Sequence, residues 1–138
     1  MNPAARAIGS LPYKARAIRF SNQINQTYPS EPMNYPSEIV WEQLVRASDS
    51  ASNKLVEAGD GGSDADFLHN MRTALREARE SKTCLKKIRM GPLANAARIA
   101  DLRLEQEADE LCAVFSTIIT NMEKRLAREK DEKRRKRK

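Results

Sequence analysis

Two sets of side chains in this sequence have the types and spacing to hold a polyanion. Arg72, Arg76 and Arg79 recur at i, i+4 and i+7, so a helix over this stretch places them on one face, and Lys82 and Lys86 continue the row. Residues 72–89 hold seven basic and two acidic groups, a local charge of +5. The second set is Lys133, Arg134, Arg135, Lys136, Arg137 and Lys138. The last fifteen residues carry ten of the 25 Lys and Arg and three of the 19 acids, a net of +7, whereas the other 123 residues carry −1. The pI near 9.5 therefore comes from one short segment on a nearly neutral body. Such a cationic run seeks nucleic acid first and an anionic membrane surface second; a solvated, frayed helix end is the plainer alternative. For the row at 72–86 the plainer alternative is pairing with Glu77, Glu80 and neighbouring acids. No aromatic residue is interleaved with either set. Base stacking is thus not the expected mode, and phosphate contact with little direct reading of sequence is.

Other chemistry is poorly supplied. His69 is the only histidine, and Asp66-x-x-His69 is half of the motif that builds a di-metal site in a helical bundle. The other half needs a second histidine, so no metal is expected. Cys84 and Cys112 lack zinc-ligand spacing and read as reduced packing residues. Helical-bundle ribonucleases of the HEPN type carry an Arg, then four to six intervening residues, then a His. Here those positions are Gly62, Ser63 and Asp64. Gly59-Asp60-Gly61-Gly62 follows a helical pattern and lacks Gly-Lys-Ser/Thr, so it reads as a helix end and turn rather than a phosphate loop. No catalytic residues and no cofactor are expected.

These groups sit on elements that the apolar periodicity outlines. At 138 residues, with 40% hydrophobic, 5% aromatic and 32% charged residues, the chain is one domain rich in helix formers. No window is apolar enough for a membrane span, and residues 1–12 lack the core of a signal peptide, so a cytoplasmic location is expected. A loose leader over 1–12 precedes a helix whose inner face is Tyr13, Ala17, Phe20, Ile24 and Tyr28. Pro29, Pro32 and Pro36 fill the link, and Ser37 is the expected N-cap of helix two. Its stripe is Val40, Leu44, Ala47/Ser48, Ala51, Leu55 and Ala58, with small residues at the centre that would let another helix approach closely. Ser63 or Asp64 opens helix three, with Phe67/Leu68, Met71, Leu75, Ala78, Leu85 and Ile88 inward, until Gly91-Pro92 stops it. An Ala-rich connection over 93–101 could form a short helix. Helix four runs from about Leu102 into the basic tail at 127–138, with Leu104, Ala108, Leu111, Phe115, Ile118/Ile119, Met122 and Leu126 inward. The fold class is all-α, an antiparallel up-and-down four-helix bundle over residues 13–126.

The stretch Gln43-Leu44-Val45-Arg46-Ala47-Ser48-Asp49-Ser50-Ala51-Ser52-Asn53, with Val56-Glu57-Ala58, Asp66-Phe67-Leu68, Ala74-Leu75-Arg76-Glu77, Glu80-Ser81 and Leu85, resembles the small bundle proteins encoded in 23S ribosomal-RNA intervening sequences. Glu107-Ala108-Asp109-Glu110-Leu111 and Ile118-Ile119 are similar to that family's last helix. The wider group includes the accessory proteins of diversity-generating retroelements. The resemblance implies a four-helix bundle assembled as a homopentameric ring. For the basic retroelement branch it implies work with a reverse transcriptase and its RNA. Two positions depart from the family: Ala51-Ser52-Asn53 replaces Gly-Ala-Asn, and Cys84 replaces an aromatic.

The expected function is a non-enzymatic homo-oligomer that binds RNA, or an RNA–DNA intermediate, through phosphates, with a reverse transcriptase as protein partner and no membrane contact. The competing readings are a protein adaptor and a scaffold with no nucleic-acid role.

Overall fold

The computed structural model describes residues 12–60 and 62–137. The leader expected over 1–12 therefore lies outside the described residues except for Pro12, as do Gly61 and Lys138. The described residues form five helices and no strand: α1 (Tyr13–Thr27), α2 (Tyr35–Gly59), α3 (Asp64–Met90), α4 (Ala96–Asp101) and α5 (Leu104–Lys136). Four of them are long, and α4 is the short helix within the Ala-rich connection over 93–101. None is long and apolar enough to cross a membrane.

Local chemistry sets the helix ends. α2 begins two residues before the expected cap, since Asn34 caps it by accepting from the Ser37 N–H at 3.0 Å. Pro36 then sits in the first turn, where its missing N–H costs nothing. Ser37 is instead buried, and its hydroxyl accepts from the Ala94 N–H at 3.2 Å, tying the α3–α4 link to α2. Of the two caps the sequence offers, α3 opens on Ser63, with a reciprocal capping box to Asp66. Gly62 precedes it at φ +102°, a conformation that favours glycine. At the other end of α3, a Cβ on Gly91 would meet Leu93 and the Lys87 carbonyl at under 3 Å. α5 starts at Leu104 rather than near Leu102, because Leu102 ends α4 and Arg103 turns the chain through a left-handed conformation, φ 54°.

Cross-helix contacts give the topology. Tyr13 meets Phe115 edge-on, and Arg16 reaches Glu107 and Glu110, while Asn95, ahead of α4, donates to the Thr27 carbonyl. α1 therefore runs against α5. Asp64, Arg72, Lys82 and Arg89 of α3 pair in turn with Arg125, Glu123, Asp109 and Glu105. One number climbs as the other falls, so α3 and α5 are antiparallel as well.

The core is the predicted stripes with four additions, Trp41, Ala74, Cys84 and Ile99. Trp41 is the largest fully buried side chain, and its indole N–H donates to the Ala94 carbonyl at 2.9 Å. Cys84 is buried where the resembled family has an aromatic. Tyr28, expected inward, is partly exposed and packs edge-on against Trp41. The small residues Ala47, Ser48, Ala51 and Ser52 are buried within the chain, and neighbouring Asp49 accepts from Ser21 and Asn25 of α1. The buried serine hydroxyls return to their own helix, Ser48 to the Val45 carbonyl and Ser52 to that of Asp49, so they are not left unpaired. α2's small-residue surface is thus covered by its own neighbours and is not a face for a second copy.

Candidate nucleic-acid interface

α3 presents the predicted row because its apolar positions bind the other side of the helix to α2 and α5. Arg72, Arg76, Arg79 and Lys86 are exposed, and Lys82 is half-buried. The row is not uniformly free. Arg72 bonds Glu123 at 3.1 Å, and Lys82 bonds Asp109 at 2.6 Å. Arg89 makes a two-pronged contact with Glu105, at 2.7 and 3.1 Å. The Asp109 hydrogen bond holds the Lys82 ammonium above its ordinary range, and the Arg89 hydrogen bond holds the Glu105 carboxyl below its own. Arg76, Arg79 and Lys86 form no ion pair among the described residues, and these three are the row's available cations. Glu77 lies toward α2, where burial and the neighbouring Glu80 raise its carboxyl.

The second set is carried by α5, which outruns its partners. Its last bond to another helix is Arg125 to Asp64, the first residue of α3, at 3.4 Å. Leu126 is the last side chain packed against the core. From Ala127 to Arg137 every residue is exposed, yet the helix continues to Lys136, a projection of about 15 Å at 1.5 Å per residue. Here Lys133, Arg134, Arg135, Lys136 and Arg137 stand, while Lys138 lies outside the described residues. Arg134 pairs with Asp131 on its own helix at 3.1 Å. Lys130, Arg134 and Arg137 stand at i+7, i+11 and i+14 from Glu123, on the side of α5 that meets α3. The two cationic sets therefore look out from one side of the molecule.

Other candidates resolve differently. Asp66 gives its carboxylate to the α3 cap, and His69 is exposed. Among the described residues no three His, Cys, Asp or Glu side chains are grouped to hold a metal. Both thiols are raised by burial, away from the thiolate a nucleophile needs. One functional-looking group is invisible in the sequence. Arg16, only 7% exposed, donates to Glu107 and, at 2.8 Å, to Glu110. Its hydrogen bond to Glu107 raises the guanidinium above its ordinary range despite burial. That cation is structural and tied to α5.

No family profile matches this chain, and no curated protein matches it. A solved structure does: the crystal structure of a protein with unknown function from the S23 ribosomal protein family of Bacteroides thetaiotaomicron VPI-5482. The two share 23% identity with a TM-score of 0.62, over 78% of this chain and 98% of that one. The likeness carries the helical fold, and that protein's own role is open.

Proposed function

We propose that this is a non-enzymatic, cytoplasmic protein that binds RNA, or an RNA–DNA intermediate, through backbone phosphates. The observation that carries the reading is the α5 extension, a row of exposed cations with no helix opposite it among the described residues. Cations so placed keep their hydration and counterions until a polyanion displaces them, and that release drives binding. The unit is a four-helix bundle that forms a homo-oligomer, a five-membered ring by resemblance to the intervening-sequence proteins. A ring would multiply the +7 segment without any new kind of contact. The same resemblance, together with the basic charge, supports a reverse transcriptase as protein partner.

The test is fluorescence anisotropy of a labelled RNA at low salt, with light scattering after size exclusion to set the stoichiometry. The reading expects saturable binding and a mass that is a multiple of 15.6 kDa. A chain that binds neither RNA nor DNA would pass the function to the adaptor reading. That reading has some support on α3, where Arg72, Lys82 and Arg89 are answered by acids of α5.

A further inference from the structure

We infer that the preferred ligand is a duplex rather than a single strand, held at two points along one side of the molecule. The inference rests on the nucleic-acid reading and narrows it. Three observations support it.

The first is the placement of the aromatics. Of the seven, Phe20, Trp41 and Phe115 are buried, and Tyr13 and Phe67 are half-buried against the core. The two exposed ones, Tyr28 and Tyr35, flank the α1–α2 link, at the end of the molecule away from the α5 extension. A single strand gains affinity from each base stacked on an aromatic, and neither cationic set offers one. The second is shape. Both sets stand on continuous helix, and a flexible strand must give up conformational freedom to lie along so straight a row. A duplex is itself straight and carries its charge more densely along its axis than a single strand, and B-form DNA releases more counterion per phosphate neutralised than a single strand does.

The third is spacing. From Lys86 back to Asp64, then from Arg125 out to Arg137, the two sets span about 50 Å at 1.5 Å per residue. Between Arg72 and Lys130 lies an interval of about 20 Å in which Asp64 and Glu123 are paired with Arg125 and Arg72. With those two acids already paired, the interval opposes an anion only weakly. The ligand is thus gripped at Arg76, Arg79 and Lys86, and again at Lys130 and Arg137. Both grips look out from the α3 side of α5.

The experiment compares a 20-base-pair RNA duplex with an unstructured 20-nucleotide oligouridine, on the full-length protein over a salt series. The inference expects the duplex to bind at least tenfold tighter, with a steeper dependence of log affinity on log salt. It also expects Arg76→Glu with Arg79→Glu to weaken duplex binding while circular dichroism stays unchanged, since neither side chain is buried. Oligouridine binding as tightly as the duplex would overturn the duplex inference and leave the nucleic-acid reading standing. Failure of both probes to bind at low salt would overturn that reading and the inference with it.

Discussion

The two cationic stretches have nearly the same composition and opposite circumstances. On α3, Arg72, Lys82 and Arg89 each meet an acid of α5, because antiparallel packing brings Glu123, Asp109 and Glu105 alongside. Past Leu126, the cations of α5 meet no other helix among the described residues, because α3 begins at Asp64 and supplies no further turn. Charge alone therefore does not mark an interface. Helix register decides which cations the fold has already neutralised and which it leaves for a partner. Arg16 is the extreme of the first kind: buried, bonded to two glutamates, and closed to any ligand.

The sharpest way to break this contrast is at the interior end. Phe115→Ala, at a fully buried site where α1 meets α5, should cost about 3–5 kcal/mol, and Leu75→Ala about 2–5 kcal/mol, in urea unfolding. Losses below about half a kcal/mol at both would discard the packing described here. Arg16→Ala should cost about 3 kcal/mol, since it strands Glu107, whose side chain is only 12% exposed. A much smaller loss would class that ion pair with the surface ones.

A pH titration refines the α3 side. Glu105 sits below its ordinary range, so its pairing with Arg89 contributes stability above the ordinary carboxylate pKa and loses it as pH falls through the lowered one. Glu77 has the opposite sign: its raised pKa means stability declines as pH rises from the ordinary value to the raised one. Arg89→Gln should flatten the acid limb of the stability–pH curve, and an unchanged limb would remove the pairing from the account. Smaller again is Arg72→Ala, where an exposed pair with Glu123 should change unfolding free energy by less than about 1 kcal/mol.

Much of this is legible in the sequence, and the gaps have physical reasons. The helix faces follow from a spacing of three and four, and Ser63 is one of the two caps the sequence offers for α3. Trp41 stays hidden because the stripe runs through Val40, although Trp41 shares the same period with Ser37, Leu44 and Ser48. A helix face wide enough to meet two neighbours holds both lines. Arg16 stays hidden because an arginine beside apolar residues looks like a surface charge, and its partners lie 91 and 94 residues away. The pairing of the α3 row is out of reach for the same reason: no local pattern states the register between distant helices. The small residues of α2 signal close packing, but the helices that approach belong to the same chain. The basic charge of the tail is plain, whereas its rigid continuation past the body depends on where α3 begins.

The central claim is that the α5 extension, and not the paired cations of α3, makes the main contact with nucleic acid. It is tested most directly by the salt dependence of RNA affinity for the full chain and for a chain ending at residue 126. Truncation should move the unfolding free energy by no more than about half a kcal/mol, since every residue from 127 to 137 is exposed. It should weaken binding to unrelated RNA sequences alike and flatten the slope of log affinity against log salt by about 0.7–0.9 for each phosphate that is no longer neutralised. An unchanged affinity and slope would contradict the account and leave the extension as a solvated helix end.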